Sequence, residues 1–163
     1  MYGVGKPLRV EEVDLAQPGP GEVCLRMGAA GVCHSDYHVV SGQSSHDLPV
    51  VLGHEGAGTV TALGDGVEGL EIGDHVVLSW IPYGGECFFC KNDQTHLCQA
   101  FKEPLWAGTM LDGSCRFSNA DGPVYHLSML ACWADTVVVP QVSCVKIDKA
   151  VPFEIAALLG CAV

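Results

Sequence analysis

Basic residues are scarce in this chain of 163 residues. Eight lysines and arginines stand against 19 aspartates and glutamates, which gives a formal net charge of −11 at pH 7. Nucleic acids and anionic membranes are bound through clustered cations, so this balance argues against both as partners. No apolar run approaches the ~20 residues that a membrane-spanning helix needs. The first residues, MYGVGKPLRVEEVD, contain no apolar signal-peptide core, and we therefore expect a cytoplasmic protein.

A recognisable dinucleotide-binding unit is also missing. The one match to the G-x-G-x-x-G pattern is GDGVEG at residues 64–69. A dinucleotide fingerprint has to follow a strand and open a helix. This match lies instead between two predicted strands, GAGTVTAL and GDHVVLSWI, and we interpret it as a turn.

Short β-rich segments separated by turn residues dominate the chain. The segment EVCLRMGAA places Val23, Leu25 and Met27 on one face, which is typical of a half-buried strand. WADTVVVP and CVKI are predicted to be strands nearer the end. Only the segment VPFEIAALLG is predicted to be helical, with Pro152 in its first turn and Gly160 as its stop. The pattern predicts a mainly β fold, either a barrel or a sandwich, with a helix leading out of it.

Cysteine is abundant, since the chain has nine. An odd number of cysteines without an export signal indicates metal binding more than a disulfide framework. Cys33 lies in AAGVCHSDYHVVSG, His54 in LGHEG and Cys161 in LGCAV. Two thiolates and an imidazole are ligands that zinc accepts, and catalytic zinc keeps a fourth position open. Spacing alone leaves two alternatives open, a zinc site or three ordinary buried residues.

Several motifs in a fixed order resemble the zinc-containing medium-chain alcohol dehydrogenases. They are GVCHSDYHVVSG, LPVVLGHEGAGTVTALGDGV, GDHVVLSWIP, GTMLDGSCRF and LLGCAV. The resemblance runs from about residue 3 to the last residue and is closest to the class III, or formaldehyde- and nitroso-dye-dependent, enzymes. It implies a mainly β, GroES-like, partly open barrel with short helices over residues 1–150. Residues 151–163 would begin the junction helix toward the family's Rossmann domain, which is absent here.

The resemblance assigns five residues to a catalytic zinc site. Cys33, His54 and Cys161 are expected to hold the ion, and Glu55 is placed to approach it from behind. Asp36 is expected to orient the imidazole of His54, because ligating histidines need a partner for their second ring nitrogen.

Five further residues receive roles from the same resemblance. Ser35 is expected to accept the proton of the alcohol, and His38 to pass that proton toward solvent. His34 matches a position that contacts the pyrophosphate of NAD or NADP. Trp80 and Trp133 match positions that line the substrate pocket. The implied reaction is oxidation of a small alcohol to an aldehyde or ketone, with hydride transfer to NAD or NADP.

A second group of cysteines lies in the segment YGGECFFCKNDQTHLCQ. The resemblance implies a structural zinc bound by four cysteines, of which Cys87, Cys90 and Cys98 are present. Gly84 stands at the fourth position and cannot ligate. The group is therefore expected to hold metal weakly or not at all, and two residues are candidates to complete the shell after rearrangement, namely His96 and Asp93.

Two functions of different class remain open from the sequence. The first is a fragment of an alcohol dehydrogenase that is inactive alone and whose intact form acts on small alcohols or aldehydes as a homo-oligomer. The second is a non-catalytic zinc-binding or interaction module with the GroES-like fold. A hydrolase that uses Cys33 and His34 as nucleophile and base is disfavoured, because adjacent residues rarely face each other.

Overall fold

The computed structural model describes residues 1–163 and contains nine strands in two sheets. The strands are β1 (Asp14–Leu15), β2 (Glu22–Ala30), β3 (Val50–Val51), β4 (Gly56–Leu63), β5 (His75–Leu78), β6 (Phe117–Asn119), β7 (Gly122–His126), β8 (Thr136–Pro140) and β9 (Cys144–Ile147). The helices are α1 (His34–Ser41), α2 (Phe88–Lys91), α3 (Lys102–Ala107) and α4 (Phe153–Ala156). Four 3₁₀ segments cover Thr95–Leu97, Leu127–Met129, Gln141–Ser143 and Ala157–Gly160. None of the helices is long and apolar enough to cross a membrane.

The larger sheet has five antiparallel strands in the order β8-β2-β4-β5-β9. Its centre confirms the alternation read from the sequence, since Val23 and Leu25 are fully buried in the main apolar cluster and Met27 packs against that cluster. The predicted strands over 22–30, 56–63 and 144–147 have the bounds that the sequence indicated. The mainly β architecture is thereby confirmed.

The smaller sheet has the order β1-β6-β7-β3, with β3 parallel to β7 and the other pairs antiparallel. None of its strands was predicted from the sequence. Two of them have two residues and one has three, which is too short to display an alternation of period two.

The expectation that only the tail is helical is wrong, and α1 is the important correction. The residue before it, Cys33, has an extended backbone with φ −99° and ψ 154°. Its sulfur accepts from the backbone at the start of the helix, and its own N–H donates to Asp36, which together form a capping box. Gly42 ends the helix in the left-handed backbone conformation, with φ 80°, which is common for glycine after the last helical residue. The helix has only eight residues, too few for a clear apolar periodicity.

The predicted tail helix is confirmed as α4 followed by the 3₁₀ segment Ala157–Gly160. Pro152 lies one residue before the first helical residue rather than inside the first turn. Ala156 and Ala157 pack against Ala57 of β4, which brings the end of the chain against the larger sheet.

The turn interpretation of GDGVEG is confirmed. The segment lies between β4 and β5 and contains no helix. Gly66 and Gly69 have φ values of 76° and 75°, a backbone conformation that favours glycine.

Replacing Gly28 by alanine tests how tightly the tail is held. A Cβ atom at residue 28 would lie 2.1 Å from Cδ2 of Phe153, so the ring or the strand has to move. We expect Gly28→Ala to lower the free energy of unfolding in urea by about 1–3 kcal/mol, as overpacking does. The control is Gly84→Ala, where the nearest contact would be an ordinary 3.5 Å. Equal losses in the two variants would contradict this packing argument.

Candidate metal centre

Four potential metal ligands converge beside the larger sheet. One donor atom from each of Cys33, His54, Glu55 and Cys161 lies within 4.8 Å of all the others. The two sulfur atoms are 3.9 Å apart. Two sulfur atoms bound to the same tetrahedral zinc ion lie about 3.8 Å apart, so this spacing suits an ion bound between the sulfurs. His54 and Glu55 are buried, and the two cysteines are half-buried.

Cys33 is positioned by the start of α1. Its Sγ accepts a long hydrogen bond of 3.5 Å from the backbone N–H of Ser35, and its own N–H donates to Oδ2 of Asp36 at 3.1 Å. The N–H of Ser35 is the main cause that lowers the pKa of the Cys33 thiol, and burial only partly opposes it. The thiolate, which is the metal-binding form, is thereby favoured at this position.

His54 is held by the carboxylate of Asp36, which is completely buried. Oδ1 of Asp36 lies 3.2 Å from Nδ1 of His54 and accepts a hydrogen bond of 3.0 Å from the N–H of Gly53. Burial alone lowers the pKa of His54, but the hydrogen bonds and charges of Asp36 and, to a smaller extent, Cys33 together outweigh it and leave that pKa raised. Because Nδ1 is engaged, Nε2 is the ring nitrogen that remains free for a metal.

Cys161 follows the 3₁₀ segment at the end of the chain. A Cβ atom on the preceding Gly160 would lie 2.6 Å from the carbonyl oxygen of Leu78, so a larger residue cannot approach β5 this closely. Burial first, and then the neighbouring Cys33 and Glu55, raise the pKa of the Cys161 thiol to about 11. Two sulfurs and a carboxylate this close repel one another when ionised, and a bound cation would relieve that repulsion.

Glu55 reaches the cluster because Gly31 has no side chain. A Cβ atom at residue 31 would lie 2.2 Å from Oε2 of Glu55. The backbone N–H of Gly31 also donates to the carbonyl oxygen of Glu55 at 3.1 Å. The sequence analysis did not single out Gly31 or Gly160, because a glycine's need for close contact leaves no local signal.

The three residues expected to handle protons and cofactor all lie on α1. His34 and Ser35 are exposed and His38 is half-buried. The rings of His34 and His38 meet edge-to-face with centroids 4.7 Å apart. No hydrogen bond joins the side chains of Ser35 and His38, so their roles in proton transfer remain predictions.

The two tryptophans occupy different positions around the cluster. Trp80 meets the ring of His54 edge-to-face, with centroids 6.1 Å apart. Trp133 donates from Nε1 to the carbonyl oxygen of Gly31 at 2.9 Å. An added Cβ atom on Gly53 would lie only 2.5 Å from Cδ1 of Trp133, so the indole ring packs directly on the backbone of Gly53. Gly53 also has φ 94°, a conformation that favours glycine. Trp133 therefore supports the loop that carries His54, and the part of either ring in substrate binding stays a prediction.

The second group of cysteines also comes together. The sulfur atoms of Cys87, Cys90 and Cys98 lie within 4.8 Å of one another. Backbone N–H groups of Cys90 and Gln99 lower the pKa of Cys87 to about 6, whereas burial raises the pKa of Cys90. Two residues proposed to complete a four-ligand shell are exposed and lie outside the group, namely His96 and Asp93.

A family model, a related sequence and two related structures that match this chain all belong to one family of dehydrogenases. The model of the alcohol dehydrogenase GroES-like domain matches residues 19–149. An S-(hydroxymethyl)glutathione dehydrogenase of Escherichia coli O6:H1 is 42% identical over an alignment of 163 residues, which covers 99% of this chain and 44% of that protein. This chain therefore spans less than half the length of the curated relatives it matches.

Two solved structures share the fold. The alcohol dehydrogenase zinc-binding domain protein from Burkholderia ambifaria has a TM-score of 0.90 and 33% identity, covering 98% of this chain and 44% of that one. The benzyl alcohol dehydrogenase from Acinetobacter calcoaceticus has a TM-score of 0.87 and 31% identity, covering 98% and 43%. The order of motifs, the arrangement of the two sheets and these matches together show that the chain belongs to the alcohol dehydrogenase GroES-like domain family.

Proposed function

We propose that this chain is the zinc-binding catalytic domain of an alcohol dehydrogenase. The convergence of Cys33, His54, Glu55 and Cys161 on one ion-sized site carries the proposal. In this proposal residues 1–150 form the catalytic domain, and residues 151–163 begin the connection to a nucleotide-binding domain. The tail also contributes Cys161 to the site, so the two parts share one centre.

The donor set suits zinc by its chemistry. Two thiolates and an imidazole are ligands that zinc prefers, and a carboxylate is a fourth it accepts. When bound, zinc acts as a Lewis acid that lowers the pKa of a coordinated hydroxyl group. Asp36 would keep Nε2 of His54 free for the ion, and the carboxylate of Glu55 would lie beside it with the two cysteines.

The proton released from the alcohol is proposed to leave along α1. Ser35 lies two residues after Cys33, and its exposed hydroxyl is proposed to accept the proton first. His38, one turn further along the helix, then carries it to solvent, because an imidazole titrates near neutral pH. Ser35 has to rotate, or a cofactor hydroxyl has to bridge, before His38 receives the proton.

The hydride acceptor is proposed to be NAD or NADP. These 163 residues contain no strand–glycine–helix unit, so the nicotinamide has to be held mainly by other residues. His34, exposed at the start of α1, is proposed to contact the pyrophosphate. The substrate class is small alcohols or the corresponding aldehydes, and the intact enzyme is proposed to be a cytoplasmic homo-oligomer.

Replacing Asp36 tests the orientation of His54. An asparagine at this position would retain the shape of the side chain but lose the charge that holds Nδ1, so we expect Asp36→Asn to weaken zinc binding by about 10–100-fold. The measurement is competition with a zinc-binding dye, in a background that also carries Cys87→Ser and Cys90→Ser. The control is Asp47→Asn, an exposed position away from the site. Equal zinc affinities of the two variants would contradict the assigned role.

The function itself is tested by supplying the nucleotide-binding part. We expect the 163-residue chain alone to form no NADH or NADPH from small alcohols, because hydride transfer needs a nicotinamide held beside the metal. A chimera with the remaining part of the Escherichia coli relative should form it, and Cys33→Ala should abolish that activity. Cofactor reduction by the chain alone would contradict its expected inactivity, and an active chimera indifferent to Cys33→Ala would remove Cys33 from the catalytic site. A folded, zinc-binding chimera without activity would favour the non-catalytic module instead.

The proton path is tested in the same chimera with Ser35→Ala. Loss of the first proton acceptor should lower kcat by about 100-fold or more, the range typical of general acid–base catalysis. Zinc should still be bound, since the main hydrogen bond from Ser35 to Sγ of Cys33 comes from the backbone N–H, which alanine keeps. Ser45→Ala, an exposed position after the helix, serves as the control. A kcat within twofold of the control would remove Ser35 from the path.

A further inference from the structure

The lobe that contains Cys87, Cys90 and Cys98 does not provide the closed shell of a structural zinc site. Such a site takes four protein ligands in a tetrahedron. The fourth position that the resemblance implies is Gly84, which has no side chain, and its backbone N–H donates to Sγ of Cys98 at 3.4 Å. An N–H donor cannot ligate a cation. The three sulfurs are therefore left with one open side in an exposed part of the chain.

The sulfur of Cys87 is in van der Waals contact with that of Cys90. The Sγ atoms of Cys87 and Cys90 are 3.5 Å apart, and those of Cys87 and Cys98 are 3.9 Å apart. A disulfide requires about 2.05 Å, which a small rotation of the two side chains can supply. Cys87 is half-buried, whereas Cys90 is buried, so a dissolved reagent reaches Cys87 first.

We infer that Cys87 and Cys90 form a thiol–disulfide couple that reacts with small-molecule disulfides. The cause is the missing fourth ligand, because an ion bound by all four positions would occupy the sulfur lone pairs and block attack. Cys132 is buried, so it has no comparable access and is not part of the couple. This inference concerns a different group of residues from the proposed catalytic centre and does not depend on it.

The reaction balances as an ordinary thiol–disulfide exchange. The Cys87 thiolate attacks one sulfur of the dissolved disulfide, which forms a mixed disulfide and releases one small thiolate. The Cys90 thiolate then attacks the sulfur of Cys87 and releases the second small thiolate. Two cysteines are oxidised by two electrons, and one disulfide is reduced to two thiols. The protons lost by Cys87 and Cys90 pass to the released thiolates through solvent.

Redox equilibration in mixtures of 2-mercaptoethanol and its disulfide tests the couple. The chain is incubated with zinc at a series of ratios, its free thiols are alkylated, and its peptides are identified by mass spectrometry. We expect a disulfide between Cys87 and Cys90, which joins two peptides or, where both cysteines lie on one peptide, closes a loop within it. Absence of that linkage at every ratio, or linkage of Cys87 to Cys98 in its place, would overturn the inference.

Two variants make the test specific. Cys90→Ser should stop at a mixed disulfide of 2-mercaptoethanol on Cys87. Gly84→Cys should restore four thiolates, because a Cβ atom there meets only ordinary contacts, the nearest at 3.5 Å from Ala100, and Gly84 lacks a positive φ. With zinc present, Gly84→Cys should need an at least about tenfold more oxidising ratio and should melt at a higher temperature than wild type. If wild type and Gly84→Cys are half-oxidised at the same ratio of disulfide to thiol, the missing fourth ligand is not the cause of the reactivity of Cys87 and Cys90.

Discussion

The buried carboxylate of Asp36 is the contact on which the candidate metal centre depends. One oxygen accepts from the N–H of Cys33, and the other accepts from the N–H of Gly53 and faces Nδ1 of His54. A buried charge is costly unless it is hydrogen-bonded, so these partners have to stay in place together. The same residue thereby fixes the start of α1, which follows Cys33, and the position of His54 in the loop after β3.

Close approach of the backbone brings in the other two. Gly31 leaves room for the carboxylate of Glu55, and Gly160 lets the end of the chain lie against the carbonyl oxygen of Leu78. Behind these contacts, α4 packs on the larger sheet through alanines and Phe153. The centre therefore depends on small residues at a few crossings, where an added methyl group would displace a ligand.

The two sulfur clusters have similar spacings but different surroundings. Cys33 and Cys161 share their site with an imidazole and a carboxylate, both buried. Cys87, Cys90 and Cys98 have no imidazole or carboxylate in their group, and Cys98 accepts instead from the backbone N–H of Gly84, in an exposed lobe. The first set has the donors that an ion needs, whereas the second leaves its sulfurs open to reagents. Sulfur separation alone does not distinguish such sites; the number and kind of neighbouring donors does.

The sequence by itself determined the long strands and the types of residue available for chemistry. The strands over 22–30 and 56–63 were predictable because alternation and turn residues are local patterns. The eight-residue helix α1 and the two-residue strands were not, because so few residues show no period. Only the tertiary structure decided that Cys161 lies 3.9 Å from Cys33, 128 positions earlier in the chain. That distance follows from how α4 packs on the larger sheet, and packing between distant segments leaves no local pattern to read.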